Sequence, residues 1–359
     1  MAPSMNIGTS YTENPRLLMK DGESDAGAVG EMSVSLKRSS ERSELSLRPR
    51  LSSARYDKDD SLDTDDRYLT AGYRWVGERG EWNMSLDLTQ DSTLTSELGQ
   101  TGVVQTNRRH ESAGFSVSPN VMFTERMSGG VQMYLLDSRY IDAESTGLVD
   151  YRYTSMSLFT TFALSEIGSN FTLTAQTGEL STNVFGSSDT RDGTLRLALS
   201  YQPWELWSAN LSAGPSFVET DEGSDSGAVI GAELKRTAER WSFSTSVSRS
   251  QSPTGRGVLT RRDRALLSCS RQLAERLTGS VSTQWIRNQD VQVEMDGGTR
   301  AFYVDYGQLD LSADWRLARS WSLLLRLSGN TQKYNTGPER ADGYRASLSI
   351  VWNGQPQTL

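Results

Sequence analysis

The sequence lacks any apolar run of the 18 or more residues that a membrane-spanning helix needs. It has one cysteine, Cys269, which excludes an internal disulfide framework; because its neighbours alternate between apolar and polar, it fits the role of a small hydrophobe. Hydrophobic residues make up only 36% of the 359 positions, and the formal net charge is −8. A polar soluble protein has such a composition, but so does a transmembrane β-barrel, which shows lipid an apolar side chain only at every second position.

Short segments similar to TAERWS (237–242) recur along the chain. Each is marked by a glutamate: Glu41, Glu78, Glu125, Glu166, Glu205, Glu239 and Glu275. The spacings of 34 to 47 residues indicate one repeated supersecondary unit, which could be a propeller blade, a helical repeat or a long β-hairpin.

The residues around these segments favour the long β-hairpin over the other two units. After TAERWS, the odd positions 241–247 are Trp, Phe, Thr and Val, and the even positions 242–248 are all serine. A period of two over eight residues is typical of a strand with one apolar face. No comparable stretch keeps a helical period, so the sequence predicts an all-β chain.

Eighteen strands are predicted, from 4–12 to 342–352, in a single barrel domain over residues 1–352 with a C-terminal tail at 353–359. Tight turns alternate with long polar connections, at 57–66, 92–109, 187–193, 219–225 and 288–300 among others. Short turns at one end and long loops at the other are typical of an outer-membrane barrel. Sixteen strands also fit if the first strand and the one at 227–236 do not form.

Tryptophans concentrate beside the short turns. Eight of the nine are predicted to form a membrane girdle: Trp75, Trp82, Trp204, Trp207, Trp241, Trp315, Trp321 and Trp352. An indole ring places an apolar surface against lipid and its N–H among headgroups. Because open sheet edges cannot be satisfied in lipid, a closed antiparallel transmembrane β-barrel is predicted, with its apolar face outward and its polar face lining water. A secreted or periplasmic β-sandwich or propeller is the alternative.

The opening IGTSYTENPRL (7–17), followed by serine-rich, arginine-bearing strands, resembles the β-barrel porin family of Gram-negative outer membranes, whose members often accompany exopolysaccharide gene clusters. The ending GYRASLSIVW (343–352) is similar to the terminal strand that the barrel-insertion machinery reads. Because NGQPQTL follows it, either Trp352 or the tail is the segment read.

The resemblance implies a bacterial outer-membrane location, although the start MAPSMNIGTS shows no signal peptide. It implies contact with outer-membrane lipid and lipopolysaccharide and with the insertion machinery. Polysaccharide and a periplasmic export partner are further candidates. No cofactor, metal or nucleic-acid partner is expected, since no phosphate-binding glycine loop, metal-ligand cluster or nucleic-acid platform is present.

The parity of each strand predicts which charges face the lumen. The basic ones, Lys37, Arg48, Arg50, Arg74, Arg326 and Arg345, lie on strands that closure brings together. The acidic ones are Asp87, Glu233, Asp310 and Asp314. One interpretation is a basic track for an anionic polymer or solute; the other is a hydrated wall in which Arg326 pairs with Asp310 or Asp314.

An enzyme is not expected. The only histidine, His110, is predicted to lie exposed at a loop mouth, with Ser112 and Asn107 nearby as the residues a hydrolase would need. The aspartate-rich loop 57–66 lacks the glycine and final glutamate of a calcium loop, so it is interpreted as a solvated loop that meets lipopolysaccharide-bound cations. The predicted function is an outer-membrane pore for polysaccharide export or for polar, anionic solutes. The alternative is a non-conducting scaffold barrel of an envelope complex, with the long loop 92–109 folded inward as a plug.

Overall fold

The computed structural model describes residues 1–19, 22–100, 107–142, 146–164, 168–182, 189–220, 223–290, 303–334 and 340–355. Within them, eighteen antiparallel strands form one sheet. Their bounds are β1 Ala2–Glu13, β2 Ser24–Ser39, β3 Ser43–Tyr56, β4 Thr64–Val76, β5 Gly80–Ser92, β6 Arg109–Thr124, β7 Met127–Ile141, β8 Tyr151–Ala163, β9 Asn170–Thr182, β10 Thr190–Trp204, β11 Trp207–Thr220, β12 Gly223–Thr237, β13 Trp241–Pro253, β14 Leu259–Ala274, β15 Leu277–Asp290, β16 Tyr303–Ala318, β17 Trp321–Tyr334 and β18 Arg340–Asn353.

The sheet is closed. Each strand pairs with its sequence neighbours, and β1 also pairs with β18 from Ser4 opposite Asn353 to Glu13 opposite Tyr344. The closed antiparallel barrel of eighteen strands is therefore confirmed. The sixteen-strand alternative is wrong, because β1 and β12 both pair along most of their length.

Directly opposed residues share a face of the sheet, so the register separates outward from inward side chains. Leu267, in the middle of β14, lies opposite Thr245 and Thr283 on the outward face and is 42% exposed. Ser268 lies opposite Ser244 and Ser282 on the inward face. Serine pairs bond across strands at several inward positions: Ser4–Ser33, Ser85–Ser116, Ser244–Ser268 and Ser280–Ser312, at 2.5–2.8 Å.

The repeated Glu-Arg turns have a structural reason. The backbone carbonyl of each turn accepts an N–H from the hairpin that follows: Val76 N–H donates to Arg42 (2.8 Å), Met122 to Arg79 (2.8 Å), Ala163 to Arg126 (2.8 Å), Gln272 to Arg240 (2.8 Å) and Arg316 to Arg276 (2.7 Å). These bonds join successive turns around one rim, the turn end of the barrel. The 34–47-residue repeat is thus one hairpin plus this lateral link.

Some boundaries differ from the sequence-based expectation. The predicted loop 219–225 is mostly strand, since β11 ends at Thr220 and β12 begins at Gly223, and β2 begins at Ser24 rather than at 29. Neither 219–225 nor 24–28 holds a large apolar side chain, so alternation does not reveal these strand ends. The all-β prediction also missed the helix α1, Thr93–Gln100. Among the described residues, no helix is long and apolar enough to cross a membrane.

Two neighbouring substitutions test the assignment of faces. We expect Leu267→Arg to destabilise the barrel by ~2–4 kcal/mol, because it places a charge near the bilayer midplane. Ser268→Arg, one residue on, places the same charge in the lumen and should be nearly neutral. Urea unfolding of the barrel in lipid vesicles measures both, and equal losses would contradict the assignment.

Candidate functional site

The turn-end half of the lumen has a polar wall. All ten charged residues predicted to face inward do so in the register, opposite serine, threonine, glycine or other polar residues for the most part. A hollow of about 550 Å³ lies on the inner wall of β9 to β13, where Arg196, Asn210 and Glu233 stand among serine and threonine hydroxyls. This wall suits hydrated solutes.

Four of the six predicted basic residues have partners. Lys37 pairs with Glu44 (2.8 Å) and Arg74 with Glu81 (2.9 Å). Arg50 lies 3.8 Å from Glu31 and 4.0 Å from the centre of the Tyr68 ring, and Arg345 donates to the Tyr56 hydroxyl (2.5 Å). The inward glutamates were missed by the sequence analysis, although strand parity would have shown them.

Arg48 and Arg326 remain without a hydrogen bond or ion pair in the part of the chain that the structure describes. The expected pairing of Arg326 with Asp310 or Asp314 is wrong: Asp310 instead accepts from Ser328 (2.7 Å) and Gln308 (2.8 Å). Other inward basic residues lie outside the predicted sector: Arg196, Lys235, Arg264 and Arg316. Positive charge is therefore distributed around the wall, and Arg48 and Arg326 are two of its positions without a compensating carboxylate.

The loop-end half of the lumen is packed. A buried cluster there, which we call the tyrosine cluster, consists of Tyr140, Tyr151, Tyr153, Leu180, Val218 and Leu259. A second group contains Leu17, Ile286, Tyr306 and Ala341. Because the strands that contribute to the tyrosine cluster range from β7 to β14, the packing extends well beyond one stretch of wall.

Helix α1 lies inside this packing. Ser92 caps it by accepting the Thr95 N–H (3.3 Å), and Thr93 and Glu97 are 0% and 3% exposed. The Tyr140 hydroxyl on β7 donates to Glu97 (2.5 Å), and the positive charge of Arg262 on β14 acts on the same carboxylate. The described part of the predicted 92–109 loop therefore folds inward, as the plug alternative requires.

Loops that follow different hairpins also meet. The Val149 N–H, after β7, donates to the Gly255 carbonyl, after β13, at 2.7 Å. On another side, Arg16 pairs with Asp59 (2.9 Å), and Asn107 donates to the Ser61 carbonyl (2.7 Å). The described loops are thus bonded to one another at the loop end.

The aspartates of the 57–66 loop and its neighbours act as local acceptors. Asp25 accepts the backbone N–H groups of Lys58 and Asp59. The Ser61 hydroxyl and backbone N–H, together with Arg16, hold the pKa of Asp59 below its usual range. Among the described residues, no group of three or more acidic, histidine or cysteine side chains could hold a metal ion.

The prediction for His110 is wrong in position. His110 is 5% exposed. It belongs to β6, which begins at Arg109, and its side chain faces inward. Its Nδ1 lies 2.9 Å from Asp91 and its Nε2 lies 2.9 Å from the Ser138 hydroxyl. Ser138 rather than Ser112 is the partner, and Asn107 bonds elsewhere. Only the pairing of β6 with β7 reveals this, since Ser138 is distant in sequence.

Asp91, His110 and Ser138 have the relative arrangement of an acid–base triad. Ser138 is 1% exposed, however, and the His110 ring stacks on Tyr140 with centroids 4.9 Å apart. The group therefore ties β5, β6 and β7 to the tyrosine cluster. The absence of enzymatic activity stays a prediction.

The eight tryptophans predicted as a girdle all lie on the outward face beside the short turns, and Trp204 and Trp315 are 68% and 53% exposed. The Arg236 guanidinium lies between two of them, 5.1 Å from the ring centre of Trp207 and 4.4 Å from that of Trp241.

No family model and no curated protein matches the sequence. The fold is that of outer-membrane β-barrel proteins. OccK2 (OpdF) of Pseudomonas aeruginosa, solved in complex with glucuronate, aligns over 98% of this chain and 97% of its own, with a TM-score of 0.52 and 10% identity. The FrpB iron transporter of Neisseria meningitidis aligns over 98% and 81%, with a TM-score of 0.48 and 9% identity. At 10% identity, the likeness to OccK2 shows the class of fold alone.

The burial of Ser138 leads to a prediction. We expect a fluorophosphonate probe not to label the folded barrel, because the Ser138 hydroxyl is covered and already bonded to His110. Mass spectrometry of the treated protein measures this, with Ser138→Ala as the matched control. Labelling at Ser138 that disappears in His110→Gln would instead show a reactive serine.

Proposed function

We propose that this chain is a pore of the Gram-negative outer membrane that passes polar solutes, anions preferentially, and whose loop end is closed at rest. The observation that carries the proposal is an excess of positive charge on the hydroxyl-rich wall. Among the described residues of this wall, the inward basic side chains without an ion pair are Arg48, Arg196, Lys235, Arg264, Arg316, Arg326 and Arg345, and they outnumber the inward carboxylates without a cation, Asp87, Glu233, Asp310 and Asp314. Basic side chains that line a water-filled pore favour anions. The turn end then faces the periplasm, as in outer-membrane barrels generally, and the tryptophans beside it form an interfacial girdle.

The finer proposal concerns the cargo. Secreted polysaccharide is the candidate for export, because the hollow around Arg196 offers hydroxyl, amide and charged groups that hydrogen-bond to sugars. An acidic saccharide would also meet the basic wall, and glucuronate is a small probe of this class. A periplasmic export partner would dock at the turn end.

The second candidate is a non-conducting barrel that scaffolds an envelope complex. The packed loop-end half favours it, since α1 and the tyrosine cluster occupy the space through which a solute would pass. The two functions differ in whether that packing opens.

Removing the contact that holds α1 distinguishes them. We expect Glu97→Ala to raise the open probability of single channels in a planar bilayer by about tenfold, because it removes a charge-assisted hydrogen bond worth ~1.5–3 kcal/mol. Ser96→Ala, on the same helix, is the control, because the Ser96 hydroxyl bonds four residues back, to the Ser92 carbonyl (3.2 Å). Silence from both the parent and Glu97→Ala, when each shows the heat-modifiable migration of a folded barrel, would support the scaffold.

The selectivity of the open channel tests the wall. In the Glu97→Ala background, we expect Arg48→Ser with Arg326→Ser to lower the chloride-to-potassium permeability ratio about twofold or more, because two uncompensated charges leave the lumen. Arg249→Ser removes an outward arginine and should leave the ratio unchanged. A ratio unaffected by the inward pair would contradict the anion preference.

A further inference from the structure

The outer wall carries a groove of about 530 Å³ at the loop end of β4 to β7. The register arranges its outward residues in successive rows. The upper row is Arg67, Gln90, Glu111 and Arg139, and the row below is Leu69, Leu88, Ala113 and Asp137. The next row, on the side of the turn end, is Ala71, Leu86, Phe115 and Leu135. Charged side chains thus give way to apolar ones within the groove, with the small Ala113 at its floor.

The charges of the groove do not cancel. Asp137 accepts from both Arg139 (2.9 Å) and Arg152 (2.9 Å), and Glu111 pairs with Arg109 (3.2 Å). Arg67 has no hydrogen bond or ion pair among the residues that the structure describes. Four guanidinium groups therefore share two carboxylates, because the nearby Asp65 is already paired with Arg55 (2.6 Å). Arg109, Arg139 and Arg152 keep 54%, 65% and 61% of their side-chain surface exposed.

The far side of the barrel differs. There, Arg249 makes two bonds to Asp263 (2.5 and 2.7 Å), and Arg287 makes two to Asp305 (2.7 and 2.9 Å). Each arginine is neutralised by its own carboxylate. An outward arginine at the loop end is thus not by itself an anion site; of the described arginines on these two sides, only those of β4–β8 outnumber their carboxylates.

We propose that this groove binds an acylated, phosphorylated glycolipid of the outer leaflet. Its phosphate groups lie against Arg67 at one side of the groove and Arg139 at the other, because guanidinium groups bind phosphate through paired, charge-assisted hydrogen bonds. An acyl chain lies below, over Leu69, Leu88 and Ala113. The inference rests on the proposed membrane location but is independent of conduction.

The test measures binding of purified lipopolysaccharide to the full-length barrel refolded in a zwitterionic detergent. We expect Arg67→Ser with Arg139→Ser to weaken binding at least about tenfold, since two charge-assisted contacts are lost. Ala113→Trp, which fills the floor without altering charge, should weaken it by a similar factor, and dephosphorylated lipopolysaccharide should bind the parent at least about tenfold more weakly.

The matched control is Arg249→Ser with Arg287→Ser, which removes two outward arginines from the neutralised side and should leave binding unchanged. Each variant must show the heat-modifiable migration of a folded barrel. Equal affinity of the Arg67/Arg139 variant and the parent, or equal affinity for the two forms of lipopolysaccharide, would overturn the proposal. Because no current is measured, such a failure leaves the pore proposal to be judged separately.

Discussion

Backbone N–H and C=O groups in hydrocarbon must bond to one another, because lipid offers them no partner. The pairing of β1 with β18 meets this requirement around the whole circumference. Once the sheet is closed, successive side chains of every strand alternate between the outward face and the lumen. The hydrogen bonds between successive turns, such as the one from the Val76 N–H to the Arg42 carbonyl, give backbone groups at the rim a partner as well.

Closure with eighteen strands creates a second problem, since the wall side chains of so wide a barrel cannot fill its interior. The two ends of the barrel differ in how the interior is filled. Near the turns, inward positions such as Ser244 and Ser280 are small hydroxyls that leave room for water. Near the loops, inward positions such as Tyr140 and Leu180 are large and buried, and α1 packs against them. The transition between these halves is what a passing solute would have to overcome.

The strands, their number and their faces could be predicted from the sequence because period-two alternation is local. Arg48 and Arg326 were placed on the inward face by parity alone. The helix α1 could not be predicted, since eight residues with only Leu94 and Leu98 at helical spacing are too short to establish a period, and its burial depends on Tyr140 and Arg262 of distant strands. His110 was misplaced for a related reason: its partners Asp91 and Ser138 become neighbours only through the register of β5, β6 and β7.

The parity of its position in a strand decides which side of the wall an arginine faces. Arg48 and Arg67 both lie on the hairpin of β3 and β4, yet Arg48 faces the lumen and Arg67 faces outward. A slip of one residue in register would exchange the two faces and turn the charges of the inner wall outward. The apolar outward rows oppose such a slip, because Leu69 and Leu88 would then face water. The hydrophobic pattern of the outward face therefore also determines which arginines face the lumen and which face outward.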